Sequence, residues 1–148
     1  MELKKSIDGS FHLVGGDFTN AGDASMQLKS ILQSYGVSDD IIRRASIATF
    51  EAEMNVIIYA TAGILRYVVD ADSIKITVTD MGPGIPDVAL AMQEGYSTAP
   101  DWVRELGWGA GMGLPNMKKN SDVFRIDTVV GEGTTVEMTI YTKRGEQA

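Results

Sequence analysis

The chain has 148 residues, of which 44% are hydrophobic, and this size and content predict a single domain, residues 1–148, that buries its own core. The absence of cysteine excludes disulfides and, with only one histidine, leaves little for a soft-metal site. A net charge of −7 argues against direct nucleic-acid binding and favours a basic protein partner. The sequence has no apolar run long enough to span a bilayer and no signal peptide, so we expect a cytoplasmic protein without membrane contact.

The first half of the chain predicts one strand followed by two helices. The strand covers Glu2 to Val14 and breaks at a pair of glycines. Apolar residues at helical spacing predict a first helix from about Ala21 to Tyr35, which Gly36 ends. A second helix begins after the N-cap residue Ser38, whose two following aspartates suit the positive end of the helix dipole, and runs to about residue 61.

The second half predicts two hairpins separated by a lid and a helix. The predicted elements are strands at Ile64–Asp70 and Ser73–Thr79, a lid at about 85–113 with a short helix near Val88–Gln93, a helix at Leu114–Ser121, and strands at Phe124–Val129 and Thr134–Thr142. The first hairpin delivers the residue that follows it, Asp80, to the same region as the second helix. We find no internal repeat and no domain linker.

Glu51 and Asn55 are four residues apart on the second helix and therefore share one face. An acid and an amide placed together in this way can point at a bound ion or phosphate. A solvated helix face is the ordinary explanation for such a pair. Apolar residues such as Phe50 and Val56 flank it, however, so the helix is expected to be mostly buried, where polar groups need partners.

The segment Asp80-Met-Gly82-Pro-Gly84 follows an apolar strand. It combines one fixed carboxylate with two glycines that accept unusual backbone angles, so a flat ligand can approach there. An ordinary turn is the alternative, because Asp, Gly and Pro are the usual turn residues.

Glycines alternate from Gly107 through Gly109 and Gly111 to Gly113, directly before Leu114. Their bare amides suit oxyanions such as phosphates at the start of a helix. A plain linker is the alternative, but the interleaved residues are too apolar for one. No Gly-Lys-Ser/Thr follows, so the loop is not of the Walker type.

In this order the three motifs resemble the N, G1 and G2 boxes of the GHKL ATPase superfamily, which includes gyrase, histidine kinases and MutL. The chain is most similar to the short bacterial anti-sigma and switch-protein serine kinases. The resemblance runs from about Gly16 to Tyr141 and includes Gly131-Glu-Gly133-Thr134-Thr135-Val136. It implies a Bergerat-type ATP-binding fold, a two-layer α/β sandwich whose mixed, mostly antiparallel sheet is covered on one face by helices.

The resemblance also implies ATP and Mg²⁺ as cofactors and assigns roles to residues. Glu51 becomes the catalytic base, Asn55 the Mg²⁺ ligand, and Asp80 the acceptor for the adenine amino group. The remaining nucleotide-binding candidates are Gly82 and Gly84 beside the base, Gly109, Gly111 and Gly113 around the phosphates, and Leu114 after them. One of Thr134 and Thr135 completes the adenine pocket. Strand alternation allows only one of the two to face inward, and Thr135 is the candidate, with the choice left open.

Several positions depart from the family pattern or leave alternatives open. Tyr59 and Met54 stand where relatives carry basic residues or histidine, so nucleotide binding is better supported than catalysis. We expect His12 to be a surface or structural residue rather than a phosphoacceptor. The segment Gly95–Trp102 either packs the lid onto the body or contacts a partner. Arg104 either clamps a phosphate or is solvated.

Three functions follow from the resemblance. The main hypothesis is a Mg-ATP-dependent kinase that phosphorylates Ser or Thr of a small antagonist protein. The second is a nucleotide-gated module that sequesters a sigma factor or similar regulator without phosphotransfer. The third is a detached histidine-kinase catalytic subunit. Relatives often form homodimers. We expect neither an orthodox sensor kinase nor a clamp with a transducer domain, given the short segment before residue 20 and the end at Ala148.

Overall fold

The computed structural model describes residues 5–105 and 112–142. Its elements are strand β1 (Ile7–Val14), helices α1 (Asp23–Tyr35) and α2 (Asp39–Tyr59), strands β2 (Ala62–Val69) and β3 (Ser73–Asp80), short helices α3 (Val88–Ala91) and α4 (Asp101–Glu105), helix α5 (Gly113–Lys119), and strands β4 (Val123–Val129) and β5 (Gly133–Tyr141).

The strands of the described residues form one sheet in the order β1-β2-β3-β5-β4. Alternation along β3 buries Ile74, Ile76 and Val78 against the helices and leaves Lys75 and Thr79 exposed on the other face. The predicted two-layer α/β sandwich is therefore confirmed. The described sheet is antiparallel in every pairing rather than mixed. Two tight hairpins and a return through the lid and α5 bring each strand back in the opposite direction.

Helix α2 is the centre of the helical layer and packs against α1, α5 and the sheet. Its sequence is apolar nearly all round, and ten of its residues are buried, as expected for a helix enclosed on several sides. It begins after Ser38, as predicted, and ends at Tyr59, two residues before the predicted end. No helix within the described ranges is both long and apolar enough to cross a membrane.

Glu53, on α2, is buried although it is charged, with 1% of its surface exposed. Its Oε2 accepts hydrogen bonds from the N–H groups of Gly22 and Ala24 at 3.1 and 3.2 Å. Its Oε1 accepts from the N–H of Ser25 at 3.1 Å and from its hydroxyl at 2.6 Å. These four bonds cap the start of α1 from a different helix, because Gly22 at the N-cap has no side chain to do so.

One predicted strand begins later than expected, and one helix of the structure was not predicted. Strand β1 begins at Ile7, since Lys5 and Ser6 are exposed and unpaired with a strand, while residues 1–4 lie outside the described range. Helix α4 was not predicted. Its five residues are too few for a helical period to show in the sequence. Among its described side chains, Val103 alone is buried.

Candidate functional site

A cavity of about 570 Å³ opens between α2, the end of β3, the lid segment and α5. Most of its walls are apolar side chains from these elements and from β5, among them Val56, Val78, Ile85, Leu114, Met117 and Val136. A volume of this size and a mainly apolar lining with few polar groups are typical of small-molecule sites.

Asp80 places the carboxylate of the second motif in this cavity, at the end of β3. Its Oδ1 accepts a hydrogen bond from the N–H of Thr134 at 3.2 Å. Burial raises the pKa of Asp80 above its ordinary value, and hydrogen bonds from the backbone of Thr134 and Gly82 partly oppose this.

Glu51 and Asn55 line the same cavity from α2, as their spacing predicted. Both approach Gly113 at the start of α5. A Cβ atom at Gly113 would lie 3.0 Å from Asn55 Oδ1 and 3.4 Å from Glu51 Oε2. Glycine therefore keeps a small polar recess open between the two side chains and the first amides of α5. Burial raises the pKa of Glu51 above its ordinary value of 4.5.

The glycines of the second motif have different roles. Gly84 lines the cavity and has a φ of 76°, and a Cβ there would lie 2.5 Å from the carbonyl oxygen of Val129. Only glycine fits this position. Gly82 is not among the residues that line the cavity, and a Cβ there would lie 3.0 Å from Asp80 Oδ1. The predicted phosphate-binding residues Gly109 and Gly111 lie outside the described residues.

Thr134, rather than the candidate Thr135, lines the cavity. Thr134 is buried and shares a 2.9 Å hydrogen bond with Thr128, whereas the Thr135 hydroxyl donates to Thr79 on the other face of the sheet at 3.3 Å. Thr135, the candidate for the inward-facing threonine, therefore does not line the cavity. Thr134 is in phase with the buried Val136 along β5, and this alternation was the available signal.

Residues 17–140 match the family model for the histidine kinase-like ATPase domain. The chain belongs to the histidine kinase-like ATPase domain family. The match includes α2, β3, the lid, α5 and β5, and thus every described residue of the cavity. The predicted membership of the superfamily is confirmed.

Relatives of this histidine kinase-like ATPase domain include small bacterial regulators. The chain is 36% identical over 98 residues to the serine/threonine-protein kinase RsbT of Bacillus subtilis (strain 168), covering 64% of this chain and 68% of that protein. It is 37% identical over 95 residues to an anti-sigma F factor of Pasteuria penetrans, covering 60% of each. The predicted similarity to anti-sigma and switch-protein kinases is confirmed, and the chain spans about three fifths to two thirds of these relatives.

A solved structure supports the same fold. The crystal structure of the RsbU and RsbW domains of a Mycobacterium tuberculosis protein superposes on 89% of this chain with a TM-score of 0.58 and 16% identity. The chain spans 32% of that larger chain. At this identity the likeness concerns the fold alone.

The lid of this ATPase domain packs onto the body. Ser97 shares a 3.3 Å hydrogen bond with Tyr59, which lines the cavity. Trp102 contacts the ring of Phe18 edge to face, with the centroids 5.3 Å apart, yet 55% of its surface is exposed. The segment Gly95–Trp102 thus packs the lid onto the body and also leaves an aromatic surface exposed.

His12 is exposed on β1, and the side chain of Arg104 is outside the described part.

Sequence reasoning missed Thr128, which is hydrogen-bonded both to Thr134 in the cavity and to Ile85 at the start of the lid. Its hydroxyl accepts from the N–H of Ile85 at 2.8 Å and pairs with Thr134. A polar residue in phase with the half-buried Phe124 and Ile126 on β4 was the signal for it.

The two threonines provide a matched pair for testing the adenine side of the cavity. Thr134→Val is expected to weaken ATP binding by about three- to tenfold, because one hydrogen bond near the ligand is lost and Thr128 loses one of its partners. Thr135→Val, on the opposite face, should bind within about twofold of wild type by calorimetry. A larger loss for Thr135→Val would contradict the placement of these side chains.

Glu51→Gln is expected to raise the melting temperature at pH 7.5. A carboxyl group whose pKa is raised by folding adds stability that is fully present below its unfolded pKa and is lost as the pH rises through the folded pKa. The glutamine stays neutral, so the gain should disappear near pH 4. Thermal denaturation at both pH values measures it, with the exposed Glu137→Gln as control. An equal gain at both values would rule out this explanation.

Proposed function

We propose that this protein binds Mg-ATP in the cavity and transfers the γ-phosphate to a Ser or Thr of a small antagonist protein. The observation that carries the proposal is the meeting of Glu51, Asn55 and the start of α5 in one recess of a cavity that also contains Asp80. Phosphoryl transfer requires mainly positioning and charge neutralisation, and this recess supplies an acid, an amide and backbone donors.

The apolar walls suit the adenine ring, and Asp80 supplies the specificity. Its Oδ2 would accept a hydrogen bond from the adenine amino group while its Oδ1 stays bound to Thr134 N–H. Thr134 and Gly84 complete this side of the pocket. Burial strengthens such a charged hydrogen bond relative to one in water.

The phosphates would lie in the recess beside Gly113. The first N–H groups of α5 have no partner within the helix and favour an anion there. Gly109 and Gly111 are proposed to extend this cradle.

Asn55 is the proposed Mg²⁺ ligand. The described residues contain no group of three or more acidic, His or Cys side chains able to hold a metal by themselves. One amide oxygen fits a hard cation that keeps several waters and binds mainly through phosphates. When bound, Mg²⁺ would neutralise phosphate charge.

Glu51 is the proposed general base for the attacking hydroxyl. Its carboxylate lies close to the recess. Burial raises the pKa of Glu51 toward neutral pH, and a general base is most effective when its pKa is close to the working pH. Asn55 lies one turn further along the same face of α2, and Gly113 faces both side chains.

A second candidate function is a nucleotide-gated binding module without phosphotransfer. Met54 is buried and Tyr59 is bonded to Ser97, so neither supplies the positive charge that relatives place there. Such a module would capture its partner in a nucleotide-dependent manner and leave it unmodified. The homodimer expected from the family remains a prediction, as does a location in the cytoplasm.

The test is capture of partners from the native lysate with tagged protein and Mg-ATP, followed by mass spectrometry of each captured protein. Wild type and Glu51→Ala are compared. Acid-stable phosphate on a serine or threonine with wild type alone would establish the kinase. Capture by both without phosphate would favour the binding module, and an acid-labile phosphate on histidine would identify a histidine-kinase subunit.

A further inference from the structure

Glu53 is a fully buried carboxylate that the proposed chemistry does not use. It is two residues from both Glu51 and Asn55, so it projects from roughly the opposite side of α2. It does not line the nucleotide cavity and contacts a cleft on the other side of the helix. The same turn of α2 thus carries the proposed nucleotide ligands on one side and this anion on the other.

The four hydrogen bonds to Glu53 tie α2 to the segment that enters α1. Helices are usually capped by a nearby Ser, Thr, Asp or Asn, but the N-cap here is Gly22, with a φ of 95°. The cap comes instead from a residue 28 to 31 positions away. Charged hydrogen bonds to N–H groups at the positive end of a helix are strong and directional. The entry to α1 is therefore held in a fixed place relative to α2.

The segment held in this way contacts both the lid and the cavity wall. Phe18, four residues before Gly22, is the aromatic partner of Trp102 on the lid. Gly22 itself faces the ring of Phe50, since a Cβ at Gly22 would lie 3.6 Å from that ring. Phe50 lines the nucleotide cavity. Residues 18–22, called the seat below, thus contact the lid helix α4 through Phe18 and Trp102.

We propose that Glu53 is a positioning residue that fixes this seat and thereby holds helix α4 beside the nucleotide cavity. The identity of the ligand rests on the function proposed above, whereas the seat itself does not depend on it. Loss of the carboxylate would release the entry to α1, and Phe18 would no longer present a fixed surface to Trp102. Helix α4 would then contact this seat less often, and the nucleotide would bind less tightly.

The first test measures the seat without nucleotide. In a Trp108→Phe background, acrylamide quenching of fluorescence reports on Trp102. Glu53→Gln, which exchanges one acceptor oxygen for a donor, should increase quenching, by less than about twofold because Trp102 is already 55% exposed. Leu28→Ala removes core packing from α1 and leaves Glu53 and Phe18 unchanged. It is the control for the effect of lowered stability alone.

The second test measures the consequence for the ligand. The dissociation constant for the magnesium complex of a non-hydrolysable ATP analogue should rise by about threefold or more in Glu53→Gln and change little in Leu28→Ala. Ser25→Ala, which removes one of the four donors, should give a smaller change in the same direction. If Glu53→Gln does not fold, Ser25→Ala and Phe18→Leu decide both measurements.

The outcomes separate this inference from the proposed function. Quenching and affinity like those of wild type in Glu53→Gln, or in Ser25→Ala and Phe18→Leu, would overturn the positioning role. Equal changes in Leu28→Ala would also overturn it, because they would show a general effect of stability. A wild-type protein that binds no ATP analogue would refute the proposed function, while the quenching test would still decide whether Glu53 holds the seat.

Discussion

Asp80→Asn is expected to weaken ATP binding by about 10- to 150-fold, because a hydrogen bond to a charged group contributes about 1.5–3 kcal/mol. Asp80 has two acceptor oxygens, one of which already accepts from Thr134 N–H. Asparagine has only one oxygen for two donors. Whichever way the amide turns, its NH₂ group faces either the backbone N–H or the adenine amino group.

Calorimetry with ATP and GTP tests this prediction. Guanine presents an oxygen where adenine has its amino group, so the loss should be larger for ATP and the ratio of the two affinities should fall. Asp127→Asn makes the same charge change at an exposed site on β4 and should bind as wild type. An unchanged dissociation constant for ATP in Asp80→Asn would remove this residue from the site.

Glu51→Gln is expected to lower the rate of phosphotransfer by about 10²- to 10⁴-fold, the usual contribution of a general base. Nucleotide affinity should stay within about threefold of wild type, because the side chain keeps its size beside Asn55 and Gly113. The two quantities are measured by single-turnover transfer of labelled phosphate and by calorimetry.

The pH dependence of the same reaction provides a second measurement. A base must be ionised, so the rate should rise with pH through the pKa of Glu51, which burial places above 4.5. The residual rate of Glu51→Gln should lack this rise. A variant that transfers phosphate at the wild-type rate with the wild-type pH profile would assign the base to another group and favour positioning alone as the source of catalysis.

Much of the fold could be predicted from local patterns. Helix α2 and the β2–β3 hairpin were placed within about two residues, because their apolar periodicity is long and turn residues bound them. The spacing of Glu51 and Asn55 placed both in the cavity, since helical geometry fixes such a pair.

What the sequence did not predict depends on contacts between distant segments. Glu53 is a buried cap for a helix that begins 30 residues earlier, and nothing within α2 marks that partner. The threonine pair was ambiguous because only the phase of β5 as a whole separates Thr134 from Thr135. Gly84 was predicted to lie beside the base with an unusual backbone angle, but the close approach of Val129 on the other hairpin, which requires glycine there, could not be predicted.

The cavity has walls from both halves of the chain, with α2 and the end of β3 on one side and α5 and β5 on the other. A ligand that binds there joins segments far apart in sequence and stabilises only the folded chain. By mass action, a ligand at 100 times its dissociation constant adds about 2.7 kcal/mol to the free energy of unfolding. A bound ligand would therefore protect this protein against proteolysis of its unfolded form.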